Sequence, residues 1–386
     1  MKQKRNGRGR NPYLLLGLGV LIGLFLAVIA GGVLFVTMTT ITQSEIATSS
    51  VVLPTEPPIG AQGIQPTPIA NQMQAVAMSP NSSHLAYASR EGGNTQIYLS
   101  TLRVARNLSG DAIPLYQTGA MVDDLQFSPD GRHLFASVTD GGLWLFSVPS
   151  GELIENYSNV GGGAFSADGA QLALVERDAI SLFDISTPRP QEITRRTHDV
   201  MLDTINAVTS NNADQVAIAS SDRVLIYSLS NLNASPRFIT PNMGTPTDLA
   251  FHPLRDHYLA MAFNGMDGQE GTVQIYDLNS TERSQYDFGT RAYAVAFSPD
   301  GAWLAIGGGE SGYGEAQMMA VRWDTGNDPI PTDLNAYQPV WFNGHNHTIF
   351  DVDFTHDGYL LSTGWDGSVR LWELTLPNDA ISVYYP

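Results

Sequence analysis

The 386-residue chain contains no cysteine, and this absence removes several classes of protein. Without thiols there are no disulfides, no cysteine nucleophile, and no zinc or iron–sulfur site built on cysteine. A stable fold must therefore rest on a hydrophobic core, which a chain of this length can bury. Common catalytic signatures are missing too: there is no G-x-S-x-G elbow, S-x-x-K, H-E-x-x-H or phosphate-binding P-loop. We therefore expect a protein that is not an enzyme and that uses no cofactor and no metal.

Basic residues are scarce, because 20 Lys and Arg stand against 38 Asp and Glu. Five of the basic residues precede residue 13: Lys2, Lys4, Arg5, Arg8 and Arg10. The first acidic residue is Glu45, so the chain beyond it carries 15 basic against 38 acidic residues. A body this acidic repels the phosphate backbone of DNA or RNA, and we expect no nucleic-acid partner.

Charge is absent from residues 13–36, YLLLGLGVLIGLFLAVIAGGVLFV. As a helix rising about 1.5 Å per residue, this run would be roughly 36 Å long, enough to cross a bilayer. The alternative is a cleaved signal peptide, whose apolar core usually has only about 7–15 residues. The basic residues before the run indicate a cytoplasmic tail at residues 1–12. We therefore expect a single-pass protein of the cell membrane, with a cytoplasmic N-terminus and an extracytoplasmic remainder.

Residues 37–70 are rich in threonine, serine and proline, and such a composition cannot bury a core. They are interpreted as a linker, partly stiffened by its prolines.

From residue 71 the chain repeats itself. Segments 122–148, 160–186 and 292–309 each contain an alternating apolar run, a turn of the Ser-Pro-Asp-Gly type and a second run. Alternation with period two between such turns predicts β-strands. The first run of successive units ends at Met78, Phe127, Phe165, Val208, Phe251, Phe297 and Phe354. Seven such units predict an all-β fold, namely a seven-bladed β-propeller over residues 71–386.

The last unit, residues 344–374, resembles a WD40 repeat almost position for position. Gly344-His345 matches the family's GH pair, Asp366-Gly367 its second turn, and Trp372-Glu373 its WD dipeptide. The resemblance implies a hydrogen-bonded structural tetrad of His345, Ser362, Asp366 and Trp372. We therefore expect His345 to hold the fold together rather than to bind a metal. The other blades lack the GH pair, so the resemblance is specific in sequence only in this last unit.

The last blade needs a fourth strand, because an unfinished ring exposes strand edges. Two segments compete for the place. Residues 63–70, GIQPTPIA, contain two prolines that restrict them to an outer edge, whereas residues 380–386, AISVYYP, have better strand formers. We favour the C-terminal tail, and both segments could contribute.

Two long loops, 263–271 and 307–317, connect the second and third strands of neighbouring blades five and six. They extend the face that carries the GH pair and the Asp-Gly turns, here called the top face, and Trp365 lies on the same face. An exposed aromatic beside acidic loops is typical of a recognition patch. In the alternative interpretation Trp365 packs on the neighbouring blade and the loops are neutral insertions. The candidate partner-binding residues are Trp365, Tyr313, Glu310, Glu315, Met266, Asp267 and Glu270.

The resulting hypothesis is a membrane-anchored, outward-facing WD40-like propeller that acts as a non-catalytic scaffold for a protein or peptide. The scaffold role comes from the family resemblance, and a fold alone does not establish a function. The alternative is a hydrolase-like propeller enzyme or a small-molecule binder that uses the central funnel. Charged residues converging on the axis favour the alternative, and a broad aromatic patch on the top face favours the scaffold.

Overall fold

The computed structural model describes residues 28–29, 32–33, 71–102, 107–108, 110–211, 214–241, 243–265, 270–280, 282–310, 316–322, 339–375, 377 and 380–385. The chain divides into two units, Met1–Thr55 and Glu56–Pro386. In the first unit, β1 (Val28–Ile29) and β2 (Gly32–Val33) pair in antiparallel fashion.

The predicted membrane-spanning helix at residues 13–36 is not supported. The four residues of this range that the structure describes belong to β1 and β2, which are extended and paired; the rest of the range lies outside the described residues. Within the described ranges no helix is both long and apolar enough to cross a membrane. The predicted localisation in the cell membrane, with an extracytoplasmic propeller, is therefore wrong. An apolar composition does not fix the backbone, and consecutive glycines such as 31–32 disfavour a helix. The predicted tail at residues 1–12 and linker at 37–70 also lie outside the described residues.

The second unit consists of seven four-stranded antiparallel sheets, which confirms the predicted seven-bladed propeller. From the axis outward, the strands are β3 (Asn71–Met78), β4 (His84–Glu91), β5 (Asn94–Leu102) and β6 (Gly110–Thr118) in blade 1; β7 (Val122–Phe127), β8 (His133–Val138), β9 (Gly142–Ser147) and β10 (Leu153–Ser158) in blade 2; β11 (Gly162–Phe165), β12 (Gln171–Val175), β13 (Ala179–Asp184) and β14 (Gln191–Thr197) in blade 3; β15 (Ala207–Ser210), β16 (Gln215–Ala219), β17 (Val224–Ser228) and β18 (Arg237–Ile239) in blade 4; β19 (Pro246–Phe251), β20 (Tyr258–Phe263), β21 (Thr272–Asp277) and β22 (Arg283–Asp287) in blade 5; β23 (Ala292–Phe297), β24 (Trp303–Gly309), β25 (Ala316–Arg322) and β26 (Val340–Trp341) in blade 6; and β27 (Ile349–Phe354), β28 (Leu360–Gly364), β29 (Val369–Trp372) and β30 (Ser382–Tyr384) in blade 7. One 3₁₀ helix, Leu229–Asn231, follows β17.

The hydrophobic core lies between the blades. Second strands such as β20 and β28 are buried along their whole length, which explains their runs of apolar and small residues without polar alternation. Outer strands such as β14, QEITRRT, are largely exposed and polar. Each buried hydrophobic cluster joins the facing sides of two neighbouring blades, and one of them joins blade 7 to blade 1. The packing of blade on blade therefore holds the ring together.

The Ser-Pro-Asp-Gly turns connect first to second strands and are held by their own side chains. In blade 2, Ser128 Oγ donates to Asp130 Oδ1 (2.6 Å), and the His133 backbone N–H donates to Ser128 Oγ (2.9 Å). Gly131 has a φ of 72°, a conformation that favours glycine. Because strands alternate in direction, these turns lie at one end of each blade. The second-to-third turns and the blade-to-blade connections lie at the other end, the top face.

The C-terminal tail completes blade 7, as favoured from the sequence. β30 pairs with β29, with Tyr384 opposite Val369. Tyr384 Oη lies 3.2 Å from Tyr87 Oη of blade 1. Near the axis, Asp351 and Asp353 of blade 7 also contact the first strand of blade 1, as detailed below. The first and last blades are therefore joined at both the outer and the inner edge of the ring.

Candidate functional site at the top face

The four side chains of the predicted tetrad form one hydrogen-bonded chain in blade 7. Trp372 Nε1 donates to Ser362 Oγ (2.8 Å), and Ser362 Oγ lies 2.7 Å from His345 Nε2. His345 Nδ1 lies 2.9 Å from Asp366 Oδ2, and these two side chains are only 1% and 2% exposed. Burial acts to raise the pKa of Asp366, but hydrogen bonds and charge from His345 outweigh it and hold that pKa well below its usual range. This series of hydrogen bonds satisfies the buried indole N–H and links two strands to the top-face turns.

The histidines of residues 344–354 have partners within the fold. Both ring nitrogens of His345 face hydrogen-bond partners, and the ring of His347 packs against Trp365 at 5.5 Å. In the part of the chain that the structure describes, no group of three or more His, Asp and Glu residues is placed to hold a metal ion. The geometry of this segment is that of a structural support.

Trp365 begins a row of stacked rings at the top face. Its ring stacks on Phe350 with centroids 4.7 Å apart and planes 28° apart, and Phe350 stacks on Tyr293 of blade 6 at 5.1 Å and 30°. We call Tyr293, Phe350 and Trp365 the aromatic row. Trp365 is partly exposed, while its Nε1 is buried without a hydrogen-bond partner in the described ranges. Trp365 thus packs first on its own blade and reaches the neighbouring blade through Phe350.

Of the other predicted recognition residues, Glu310 lies close to Trp365. The Trp365 backbone N–H donates to Thr348 O (3.0 Å), and Thr348 Oγ1 donates to Glu310 O (2.7 Å). Glu270 is exposed just before β21. The remaining four, Tyr313, Glu315, Met266 and Asp267, lie outside the described residues and stay predictions.

A ring of seven equivalent positions forms the wall of the channel mouth. In five blades the register between first and second strand skips one residue, at Gln74, Asp123, Thr247, Tyr293 and Phe350. Such a β-bulge re-aims a side chain and is common beside binding sites. Gly161 and Asn206 stand at the same position, four residues before the end of the first strand, in blades 3 and 4. All seven line a cavity of about 820 Å³ that also includes Trp365, and we call this cavity the mouth.

The seven positions are chemically uneven around the ring. From blade 6 through blade 7 and blade 1 to blade 2 they read Tyr293, Phe350, Gln74 and Asp123. Asp140, in the second-to-third turn of blade 2, adds a carboxylate on the same side. Asp123 is exposed to water inside the mouth, but the walls of the mouth enclose it. The partial desolvation that results, together with the charge of Asp140, raises the pKa of Asp123 to about 7. The mouth therefore passes from an aromatic side to an acidic side.

A sequence profile of the family described as "WD domain, G-beta repeat" matches residues 338–373, the segment that carries the tetrad. The chain belongs to the WD40-repeat β-propeller family. The profile covers only one blade of this WD40 protein, and the remaining blades are recognised by their structure.

Two curated proteins are similar to part of the WD40 chain. "Pre-mRNA-processing factor 19 homolog 2" of Arabidopsis thaliana is 26% identical over 152 residues, which are 38% of this chain and 23% of the relative. "Antiviral protein SKI8" of Saccharomyces cerevisiae is 30% identical over 128 residues, which are 30% of each protein. The matched part is therefore less than a third of either relative.

A chain of a solved structure, "Crystal Structure of Mitotic Checkpoint Complex", has the same fold. It superposes with a TM-score of 0.61 at 17% identity, covering 82% of this chain and 92% of that chain. At this identity the likeness shows the fold alone.

Below its mouth, the channel of the WD40 propeller is lined by Asp124, Asp248, Asp351 and Asp353. Burial raises the pKa of Asp124 to about 7 and those of Asp248 and Asp353 to about 6. Three of the four accept backbone hydrogen bonds from the next blade. Val76 N donates to Asp351 Oδ2 (2.9 Å), Met78 N to Asp353 Oδ2 (3.3 Å), and Val295 N to Asp248 Oδ2 (2.8 Å). These three carboxylates therefore link neighbouring blades.

The ring at the mouth and a second histidine link were not predicted from the sequence. In blade 4, Tyr227 stands at the tryptophan position of the repeat, and its Oη lies 2.7 Å from His198 Nδ1; His198 Nε2 lies 3.1 Å from Glu176 O. A histidine before the blade and a tyrosine at the tryptophan position were the available signals. For the ring, the signal was the residue four positions before the end of each first strand.

Proposed function

We propose that this WD40 propeller is a non-catalytic scaffold that binds a protein or peptide at the mouth of its central channel. The aromatic row carries the proposal. Partly exposed Trp and Tyr side chains are enriched at binding hot spots because they bury a large apolar area and offer a polar N–H or O–H. Trp365 offers the apolar area, since its partly exposed ring borders the cavity, whereas its Nε1 is buried.

The family supports the same role in coarser form. WD40 propellers typically serve as protein-interaction scaffolds, and the solved structure with this fold is titled as a complex. The mouth, about 820 Å³ in volume, lies within the range of roughly 300–1,000 Å³ of small-molecule and cofactor pockets, so its size fits a small ligand as well as a peptide side chain.

The alternative is an enzyme or a small-molecule binder acting in the channel, and the carboxylates that converge on the axis favour it. Asp248, Asp351 and Asp353, however, already accept backbone hydrogen bonds from neighbouring blades. Their role as links between blades accounts for their position, so the aromatic row remains the feature that needs a partner.

The proposal is tested by affinity capture with the full-length chain as bait, beside Trp365→Ala and a matched Phe238→Ala control. Phe238 is 52% exposed on β18, the outer strand of blade 4, away from the mouth. We expect wild type and Phe238→Ala to retain the same partner and Trp365→Ala to retain at least about tenfold less, as for a hot spot of 2 kcal/mol or more. Equal retention by all three baits would show that the mouth is not the binding surface.

A further inference from the structure

Gln74 holds an unused hydrogen-bond donor in the wall of the mouth. The residue is 5% exposed, and the Val122 backbone N–H donates to its Oε1 (2.9 Å), which fixes the orientation of the carboxamide. Its Nε2 has no hydrogen-bond partner in the described ranges. A buried donor without an acceptor destabilises the folded protein. A ligand oxygen in the mouth would satisfy this donor once a small rotation of the side chain brings the buried Nε2 to the surface of the cavity.

Asp123 and Asp140 supply negative charge that no cation of the described structure pairs with. Two other acids of the mouth are already paired with Arg195, whose Nη2 lies 2.8 Å from Glu176 Oε2 and 3.4 Å from Asp178 Oδ1. Asp123 and Asp140 face the same cavity from the same blade, and the charge of Asp140 raises the cost of charging Asp123. A ligand cation placed there relieves that repulsion.

The remaining charged groups of the mouth are held by the protein. Asp203 accepts a hydrogen bond from Ser220 Oγ (2.9 Å) and another from Ser221 Oγ. Arg177 donates through Nε to Leu202 O (3.1 Å). The available charge is thus concentrated in blade 2, next to Gln74 of blade 1.

The need for both a positive charge and a hydrogen-bond acceptor excludes several classes of ligand. A polyamine carries the positive charge but no acceptor for Gln74, and a neutral sugar carries acceptors but no charge. A peptide with a basic side chain carries both, and the methylene groups of that side chain can pack on Phe350, which neighbours Gln74 in the ring.

Resting on the proposed function, we propose that the mouth binds a basic peptide segment. A lysine or arginine side chain of the partner pairs with Asp123 and Asp140, and a peptide carbonyl accepts from Gln74 Nε2. The aromatic row covers the apolar part of the same segment.

The test is selection of a random nine-residue peptide library, displayed on phage, on the full-length chain. It is run beside Asp123→Asn/Asp140→Asn and the control Glu155→Gln/Glu192→Gln. The control removes the same charge from exposed positions on β10 and β14. We expect Lys and Arg to be enriched at least fivefold on wild type and control, and that enrichment to be lost on the double Asp variant.

The outcomes of this selection distinguish the basic-peptide inference from the scaffold function on which it rests. Enrichment of peptides without basic residues, or basic enrichment that persists on the double Asp variant, would overturn the basic-peptide inference and leave the scaffold function standing. No enrichment of any peptide on wild type would overturn both.

A carbodiimide cross-link gives an independent readout. The propeller itself contains no lysine, because the only two in the chain are Lys2 and Lys4. A selected lysine peptide should therefore join to Asp123 or Asp140, as located by mass spectrometry, and Gln74→Leu should weaken its binding several-fold. A cross-link that maps only outside the mouth, or unchanged affinity in Gln74→Leu, would contradict this geometry.

Discussion

Two buried tryptophans of the propeller differ in one hydrogen bond. Trp372 is fully buried and donates through Nε1 to Ser362 Oγ, whereas Trp144 is 7% exposed and its buried Nε1 has no partner in the described ranges. Both lie in the third strand of their blade and pack between blades. Substituting each of these two tryptophans therefore separates the contribution of the tetrad hydrogen bond from that of ring volume.

We expect Trp372→Phe to lower the free energy of unfolding by about 1–3 kcal/mol, because Ser362 and His345 lose the indole donor that completes their chain. Trp144→Phe makes the same exchange of indole for phenyl at a position where no hydrogen bond is lost, so it should lower the free energy of unfolding less. Thermal or urea unfolding of both variants measures the difference. Equal losses would show that the tetrad adds nothing beyond packing.

For individual residues, the sequence predicted the contacts that form within one repeat. His345, Ser362, Asp366 and Trp372 lie within 28 residues whose spacing matches the WD40 pattern, so their meeting follows from one strand–turn–strand unit. Gln74 and Asp123 come from different blades, and their neighbourhood depends on how the blades pack. No local pattern indicated that Gln74 Nε2 would lack a partner.

Among the elements, the last strand has the clearest consequence for stability. β30 covers the edge of β29, and Tyr384 reaches Tyr87 of blade 1. An uncovered β29 would present unpaired backbone groups to solvent and to other molecules.

We expect deletion of residues 381–386 to lower the melting temperature by several degrees and to cause concentration-dependent association through β29. Tyr384→Phe, which keeps the strand and loses one hydroxyl contact, should stay monomeric and cost about 1 kcal/mol or less. Melting curves and light scattering check both variants. A truncated chain that melts like wild type and remains monomeric would show that β30 does not protect the edge.

The β-bulges of the first strands were not predicted as elements. An alternating run looks the same in sequence with or without an extra residue, since the bulge is set by pairing with the second strand. Yet five such bulges turn Gln74, Asp123, Thr247, Tyr293 and Phe350 into the mouth. The binding surface thus depends on an irregularity that a strand prediction leaves out.

For the molecule as a whole, closure of the ring brings carboxylates together at the axis. Burial raises the pKa of Asp351 well above its usual range, against the hydrogen bond from Val76, and the charges of Asp248, Asp124 and Asp353 raise it further. A carboxyl whose pKa is higher in the folded state holds its proton better there. Its contribution to stability is therefore present at low pH and lost as pH rises through the folded-state pKa.

We expect Asp351→Asn to lose less stability than wild type between pH 5 and pH 8, and to melt about 2–4 °C higher at pH 8. The amide oxygen can still accept from Val76 N, and no buried charge forms. Glu192→Gln, on an exposed outer strand, serves as the control and should follow wild type. Parallel melting curves for Asp351→Asn and wild type across this pH range would contradict a buried, proton-holding carboxyl.

The sequence by itself determined the propeller, because seven alternating runs with fixed turns admit few other ways to bury their apolar faces. It also determined the tetrad, which is local to one blade. It did not determine the conformation of residues 13–36: an apolar run was compatible with a helix, but the described residues of that run pair as strands. Only the tertiary structure decided which side chains share the mouth, because Tyr293, Phe350, Gln74 and Asp123 meet through closure of the ring across blades. Their distance along the chain hides this from any local pattern.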